Sequence, residues 1–232
     1  FKIKIFTLIN NMYALGKIHY TDKIHHHGYN RFYEDYLSKY RKKNFNFLEI
    51  GMDYGESMKL WKDYFKYATI YGLEIQQEYQ EERINVIKGD QSNIDDLKKL
   101  IKITKNCDVI LDDGSHVPEH QLISFNYLFE NCLSEGGVYI IEDIETSYWK
   151  KGNLYGYPIK SGSNATNNIV NIFKDILPIV NREFLVKEEQ EKLHKISKIN
   201  KYALDNISSI NFGMNCIIIK KMSNFEKKKF FN

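Results

Sequence analysis

The strongest constraint in this sequence is a repeated alternation of short apolar runs with longer amphipathic stretches. FNFLEIG (45–51), TIYGLEI (69–75), INVIKGD (84–90), CDVILDD (107–113) and VYIIEDI (138–144) are the apolar runs, rich in β-branched residues. They are too apolar to leave one face in water, which marks strands covered on both sides. Between them, ESMKLWKDYFKYA (56–68), NIDDLKKLIKITK (93–105) and PEHQLISFNYLFENCL (118–133) place apolar residues at helical spacing. Met58, Trp61, Phe65 and Ala68 form one such stripe, and Leu122, Phe125, Leu128 and Phe129 another. Ser92 or Asn93 suits the cap of the second helix, and Pro118 suits the first turn of the third. A β-α-β-α order of this kind calls for parallel strands joined by helical crossovers. The expected fold is α/β: a doubly wound, mostly parallel, seven-stranded sheet. ISSINFGMNCIIIKK (207–221) supplies its C-terminal antiparallel hairpin, turning near Phe212-Gly213.

At 232 residues, 43% of them hydrophobic and 27% charged, the chain has the size and mix of one domain with a full core. Its expected organisation is an N-terminal extension at 1–40 packing on the core as a lid, the main domain at 41–222, and a frayed tail at 223–232. The opening FKIKIFTLINNMY (1–13) lacks an uncharged run and a small-residue cleavage site, and reads as an amphipathic element docking on the body. No apolar run approaches the roughly 20 residues of a membrane span. Cys107, Cys132 and Cys216 are odd in number and apolar in context, so they read as buried thiols of a reducing, cytoplasmic protein. A net charge of +3 gives no field that favours nucleic acid. After Ile144 the alternation lapses. SYWKKGNLYGYPIKSGSNAT (147–166) reads as a long ordered loop beside a site, and 167–180 and 187–199 read as helices. The exposed aromatics of that loop and the N-terminal segment lead us to expect a homo-oligomer.

The chemistry-capable residues collect where the strands end, which is where open α/β sheets bind ligands. The first strand ends in Glu49-Ile50-Gly51, and Gly51 and Gly55 allow the backbone to pass close to a ligand. A carboxylate there suits a cofactor bearing an amine or sulfonium charge. The spacing is not that of a dinucleotide or P-loop motif. Glu74 closes the second strand, where such folds grip ribose hydroxyls. Asp90 and Gln91 follow the third, with polar groups suited to an adenine edge. The fourth run ends in Asp112-Asp113, followed by His116, and the fifth in Glu142-Asp143. Like charges this close raise one another's pKa, and a cation, a proton or a cationic cofactor would relieve the cost. If the fifth strand lies beside the fourth, their ends are about 5 Å apart. Asp113, Glu142 and Asp143 then form an all-oxygen site for a hard divalent ion such as Mg²⁺. His116 is near enough to take a proton from a metal-bound hydroxyl. Whether Asp112 or Asp113 faces the metal depends on register.

The combination LEIG…GESMKLWKDYF…IYGLEI…KGDQS…VILDDGSHVPEHQLISFNYLF…GGVYIIEDIETSYW, from about Phe47 to Trp149, resembles the class I S-adenosylmethionine-dependent methyltransferases. More narrowly it resembles the metal-dependent sugar O-methyltransferases of the macrocin and mycinamicin type. The resemblance implies a Rossmann-like methyltransferase fold with S-adenosylmethionine and Mg²⁺ as cofactors. It implies Asp113, Glu142 and Asp143 as metal ligands, favouring Asp113 over Asp112, and His116 with Asp113 as the catalytic pair. Around the methyl donor it places Glu49, Gly51, Glu74, Asp90 and Gln91, and Tyr54, Ile75 and Asp112 extend that set. The segment HYTDKIHHHGYNRFYEDYL (19–37) resembles the stretch preceding this core in related proteins, with Thr21, Asp22, Lys23 and Tyr29 as binding candidates. The run His25-His26-His27 cannot turn three consecutive side chains to one ion and is read as solvated or packing. The chain is expected to lack the large N-terminal domain of the macrolide enzymes.

The expected activity is Mg²⁺-dependent methylation of a sugar hydroxyl, on a nucleotide-activated or surface-polysaccharide sugar, with Tyr148, Trp149 and Tyr155 facing the acceptor. A catechol-type small-molecule methyltransferase shares the same metal logic. A non-catalytic nucleotide- or sugar-binding protein on the same scaffold is the alternative from a different class.

Overall fold

A computed structural model describes residues 11–230. The opening amphipathic element lies, up to residue 10, outside the described residues, as do residues 231 and 232 of the expected tail. Three short helices, α1 (Met12–His19), α2 (Asp22–His25) and α3 (Asn30–Leu37), lead into strand β1 (Asn46–Ile50). The alternation follows: α4 (Glu56–Tyr64), β2 (Thr69–Glu74), β3 (Tyr79–Glu81), β4 (Ile84–Lys88), α5 (Ile94–Thr104), β5 (Cys107–Asp112), α6 (Pro118–Asn131) and β6 (Leu133–Glu142). The Asn93 side chain caps α5 by accepting from the Asp95 N–H at 2.9 Å, and Pro118 opens α6.

The irregular stretch after β6 contains a small hairpin, β7 (Gly152–Leu154) and β8 (Tyr157–Ile159). The helix expected over 167–180 stops early. Helix α7 runs Ile169–Asp175, and Leu177–Phe184 is 3-10 helix. Pro178 offers no backbone N–H, so it cannot continue an α-helical ladder. Helices α8 (Lys187–Ile196) and α9 (Lys201–Asn206) lead to the hairpin β9 (Ile207–Gly213) and β10 (Cys216–Lys221). Where the sequence reading leaves a frayed tail, Asn224–Phe230 forms helix α10. Glu226 anchors it by accepting from the Ser208 hydroxyl and from the Ser223 N–H and hydroxyl.

The strands form one sheet in the order β3-β4-β2-β1-β5-β6-β10-β9. The five central strands are parallel, and β10 and β9 add antiparallel at one edge. Seven of the eight strands are those expected. The eighth, β3, is three exposed residues pairing antiparallel with β4 at the opposite edge. Its sequence, YQE, carries no apolar signal. The order reverses between β1 and β5, so the crevice for a ligand lies beyond their carboxyl ends. One face is covered by α1–α4, which pack Met12, Tyr33, Leu37 and Trp61 over Phe47, Leu111 and Ile140. The other is covered by α5, α6, α7 and α9, with Leu97, Phe125, Phe173 and Leu204 over Leu48, Ile110 and Ile141. No helix among the described residues is long and apolar enough to cross a membrane.

Gly51 is the tightest point of the frame. Its φ is +85°, and a Cβ there would sit 2.1 Å from the Asp113 carbonyl oxygen. The glycine is required by protein backbone crossing the end of β1. Gly51→Ala adds a left-handed backbone cost of about 1–2 kcal/mol to an overpacking cost of about 1–3 kcal/mol. The expected result is a thermal midpoint lower by about 10 °C. A shift under about 2 °C in calorimetry would mean the crossing relaxes freely.

Candidate active site

Strand register decides which acids meet. Ile50 lies beside Asp112, and Asp112 beside Ile141, across three adjacent parallel strands. Side chains alternate between the faces of a strand, so Asp112 shares the α5/α6 face with Ile50 and Ile141. There it is fully buried, accepting from Gln91 Nε2 at 3.0 Å and from the Ser124 hydroxyl. Burial pushes its pKa up to about 6. Asp113 and Glu142, one residue on, fall on the opposite face with Glu49. Register thus turns Asp113 to the crevice and Asp112 away from it.

On the Glu49 face the acids surround a lysine. Lys23, carried in by α2 and only 1% exposed, donates from Nζ to Asp113 Oδ2 and, at 2.5 Å, to Glu142 Oε2. Glu49 Oε1 lies 3.2 Å from the same nitrogen. Burial alone would lower the Lys23 pKa, but the attraction of Asp113, Glu142 and Glu49 outweighs it and holds the ammonium well above the usual lysine range. The remaining oxygen of Glu142 accepts from the Tyr33 hydroxyl. Glu49 Oε2 accepts from Ser57 Oγ at 2.8 Å and Trp61 Nε1 at 3.1 Å. Burial is the main cause that pushes Glu49 up to about 7.

Asp143 adopts a left-handed conformation, φ 51°, at the end of β6. Its Oδ1 accepts from the Tyr29 hydroxyl and, at 2.9 Å, from Asn215 Nδ2. Its Oδ2 lies 3.8 Å from His116 Nε2. His116 is itself left-handed, φ 54°, and nearly buried, and its Nδ1 has no hydrogen-bond partner. Ligand atoms of Asp113, His116 and Asp143 all lie within 4.8 Å of one another.

A cavity of about 540 Å³ runs along the strand ends to this cluster. Of the residues expected at the cofactor, Gly51, Tyr54, Glu74, Ile75, Asp90 and Gln91 line it, whereas Glu49 and Asp112 do not. Glu74 is held rigidly. Its Oε2 accepts from the N–H of Met52 at 2.9 Å and of Asp53 at 3.4 Å, and Oε1 from the N–H of Gln76 at 3.0 Å. Gln91 lines the cavity with its polar groups already engaged, since Nε2 goes to Asp112 and Oε1 accepts from the Ser115 N–H at 2.6 Å. Asp113, His116 and Asp143 line the far end, and Glu142 lies behind them. Thr21 and Asp22 reach the cavity, while Lys23 and Tyr29 act from behind its wall.

Tyr155, at the tip of the β7–β8 hairpin, is 72% exposed and lies 6.0 Å from the His116 ring. Tyr148 and Trp149 stay outside the cavity, and Trp149 packs against Gly152 at the base of the hairpin. In the histidine run, His25 packs edge-on to Tyr20 and His26 edge-on to His27. His27 stacks on Tyr29 and brings Nε2 to 3.7 Å from Asp143 Oδ1. Tyr33, Asn215, Ser115 and Tyr157 lie within stretches already quoted from the sequence but are not singled out there as site residues, because none carries a charge or a spacing of its own that sets it apart from its neighbours.

No family model matches the chain. Over 145 residues it is 34% identical to the 8-demethyl-8-alpha-L-rhamnosyl tetracenomycin-C 2'-O-methyltransferase of Streptomyces olivaceus, covering 59% of this chain and 38% of that protein. It is 36% identical over 132 residues to the demethylmacrocin O-methyltransferase of Streptomyces fradiae, covering 53% of this chain and 33% of that protein. The matched part thus spans well under half the length of these curated relatives. Among solved structures, the MycE methyltransferase of the mycinamycin biosynthetic pathway, in complex with Mg, SAH and mycinamycin VI, superposes with a TM-score of 0.76 at 26% identity. That superposition covers 93% of this chain and 56% of that one. The chain thus has the class I methyltransferase fold of MycE, and in sequence it is similar to O-methyltransferases of the macrocin and mycinamicin type.

Proposed function

We propose that this chain is a divalent-cation-dependent O-methyltransferase that moves the methyl group of S-adenosylmethionine to a hydroxyl of a sugar. One observation carries the reading: a single cavity joins a rigid carboxylate at the end of β2 to the Asp113, His116 and Asp143 cluster. An extended donor fits this path with its ribose hydroxyls at Glu74 and its reactive end near Gly51 and Asp113.

The residues fit a hard cation. Asp113 and Asp143 present carboxylate oxygens to the cavity, and Glu49, Asp113, Glu142 and Asp143 outnumber the single ammonium of Lys23. Asp113 and Asp143 would hold Mg²⁺, with Glu142 directly behind. The ion, when bound, lowers the pKa of an acceptor hydroxyl. His116 takes the proton, its Nε2 directed toward Asp143 at the cavity wall. The acceptor oxygen bonds to the methyl carbon as the carbon–sulfur bond breaks. Tyr155 closes over the reacting groups from the hairpin, where an aromatic ring can pack on the face of a sugar.

Two relatives are named for a rhamnosyl tetracenomycin-C and an L-olivosyl-oleandolide, so a sugar already joined to an aglycone is the acceptor class we favour. A nucleotide-activated sugar and a surface polysaccharide have no counterpart among these names. Calorimetric titration of S-adenosylhomocysteine is the first test. We expect micromolar binding, weakened about 10- to 100-fold in Glu74→Ala, the loss of hydrogen bonds to a charged group. No binding with or without Mg²⁺ would refute the reading. Methyl transfer is then measured on an α-L-rhamnoside, a nucleotide sugar and a catechol; transfer to catechol alone would move the chain to the small-molecule branch.

A further inference from the structure

The three most exposed tyrosines among the described residues, Tyr54 at 82%, Tyr20 at 76% and Tyr155 at 72%, all line the cavity. In a chain with 17 tyrosines an exposed ring alone means little. These three differ in their backbone. Tyr20 closes α1 in a left-handed conformation, φ 57°, where helices usually place glycine. Tyr155 and Gly156, with φ 51° and 86°, form the two-residue turn of the β7–β8 hairpin, a place that favours Asn-Gly. Tyr54 sits between Asp53 and Gly55, whose φ values are 47° and 87°. A large side chain on a left-handed corner is costly, and such outliers cluster at ligand clamps. The His25 ring packs edge-on against Tyr20 at 4.3 Å, which steadies it. Burial and then the charges of Asp113, Asp53, Asp143 and Asp22 push the Tyr155 hydroxyl up. This ring therefore stands near both the acid cluster and the segments that carry Tyr54 and Tyr20.

From this placement we infer that Tyr20, Tyr54 and Tyr155 form an aromatic rim that grips a second ring of the acceptor, so that the substrate is a glycoside of at least two rings. This rests on the sugar-methylation reading above and deepens it. A cavity of about 540 Å³ is sized for one ligand of the donor's bulk. The acceptor then reaches the acid cluster with its terminal sugar and leaves the unit next to it at the mouth. There three phenol rings offer flat apolar faces that are rigid at little entropic cost. A ring with an apolar face, the next sugar or an aromatic aglycone, covers them. The assignment moves Tyr54 from the donor's set to the acceptor's, and gives His25 the task of holding Tyr20.

The test compares kcat/KM of the intact chain for methyl α-L-rhamnoside, para-nitrophenyl α-L-rhamnoside and a disaccharide ending in the same sugar. The parent is expected to prefer a two-ring acceptor to the one-ring glycoside by at least about tenfold, and which of the two it prefers tells an aglycone from a glycan. Tyr20→Gly and Tyr155→Asn each install the residue that the local backbone favours. Each should cut the preference at least about threefold while the thermal midpoint stays no more than about 3 °C below the parent. Tyr54→Ala should cut it by a similar factor. The inference is overturned if the parent turns over the one-ring glycoside as efficiently as the others, a result that leaves the sugar reading intact. It is equally overturned if the variants keep the preference. Loss of S-adenosylhomocysteine affinity by about tenfold or more would give the rings to the donor, and a larger drop in midpoint would make them packing residues; either outcome removes the assignment. If no glycoside is methylated, the sugar reading falls together with this inference. The S-adenosylhomocysteine titration then reports separately on the methyl-donor site.

Discussion

Asp113→Asn is expected to reduce methyl transfer to a glycoside acceptor by at least about 10³-fold, because a cation's charge stabilisation is worth several kcal/mol and each tenfold is about 1.4 kcal/mol. The change is nearly isosteric, and Lys23 keeps Glu142 at 2.5 Å and Glu49 at 3.2 Å, so the fold should survive. The donor end of the cavity, at Glu74, is untouched, and S-adenosylhomocysteine affinity should stay within about threefold. The informative control is its neighbour. Asp112 points to the opposite face and accepts from Gln91 and Ser124. Asp112→Asn should change thermal stability while leaving the rate within about tenfold. If the two variants lose activity equally, the assignment of faces by strand register is wrong. If Asp113→Asn keeps the rate within about tenfold, the cation is not where the chemistry occurs.

His116→Asn is the second large effect, an expected loss of about 10²–10⁴ in the single-turnover rate, the range of a general base. Asparagine is the replacement of choice for a backbone reason: position 116 has φ 54°, a conformation that asparagine tolerates better than most residues. The Thr146 hydroxyl bond to the residue 116 carbonyl, 2.7 Å, is preserved because it involves main chain. Donor and Mn²⁺ binding measured alongside should move less than about tenfold, separating a lost proton acceptor from a collapsed site. A rate within about fivefold of the parent would transfer the base role to another group.

Most of the fold could be read from the sequence because the strands are buried on both faces and so are almost uniformly apolar. Edge strand β3 had no such reason to be apolar and left no trace. The ends of strands were legible for the same reason in reverse: an acid directly after an apolar run stands out. What could not be read was parity and distance. Asp112 and Asp113 are adjacent letters but occupy opposite sides of the sheet. Lys23 lies in DKIH, a stretch whose composition reads as a wet surface turn, and lysine is almost never fully buried unless paired. Its partners are as many as 119 residues away, so only the resemblance drew attention to it, and in a different role. Among the aromatics of the 147–166 stretch, Tyr155 reaches the cavity and Tyr148 and Trp149 do not, because the β7–β8 turn, which sequence alone did not resolve, decides which ring is raised.

The grip on Asp143 sets the order in which the protein can become competent. Tyr29 and Asn215, which are 186 positions apart and joined by a hydrogen bond from the Tyr29 hydroxyl to the Asn215 carbonyl, both donate to the same carboxylate oxygen. A chain still growing on the ribosome has its first strands, its glycine turn and its histidine long before residue 215 is available. Until the β9–β10 turn arrives, the Asp143 carboxylate oxygen that accepts from Tyr29 and Asn215 lacks the Asn215 donor. Contacts this remote in sequence form late, after the entropy of closing a long loop has been overcome. Synthesis of the turn is therefore the step after which the finished site can exist, and a truncated product that keeps the whole DDGSH stretch is expected to remain inert.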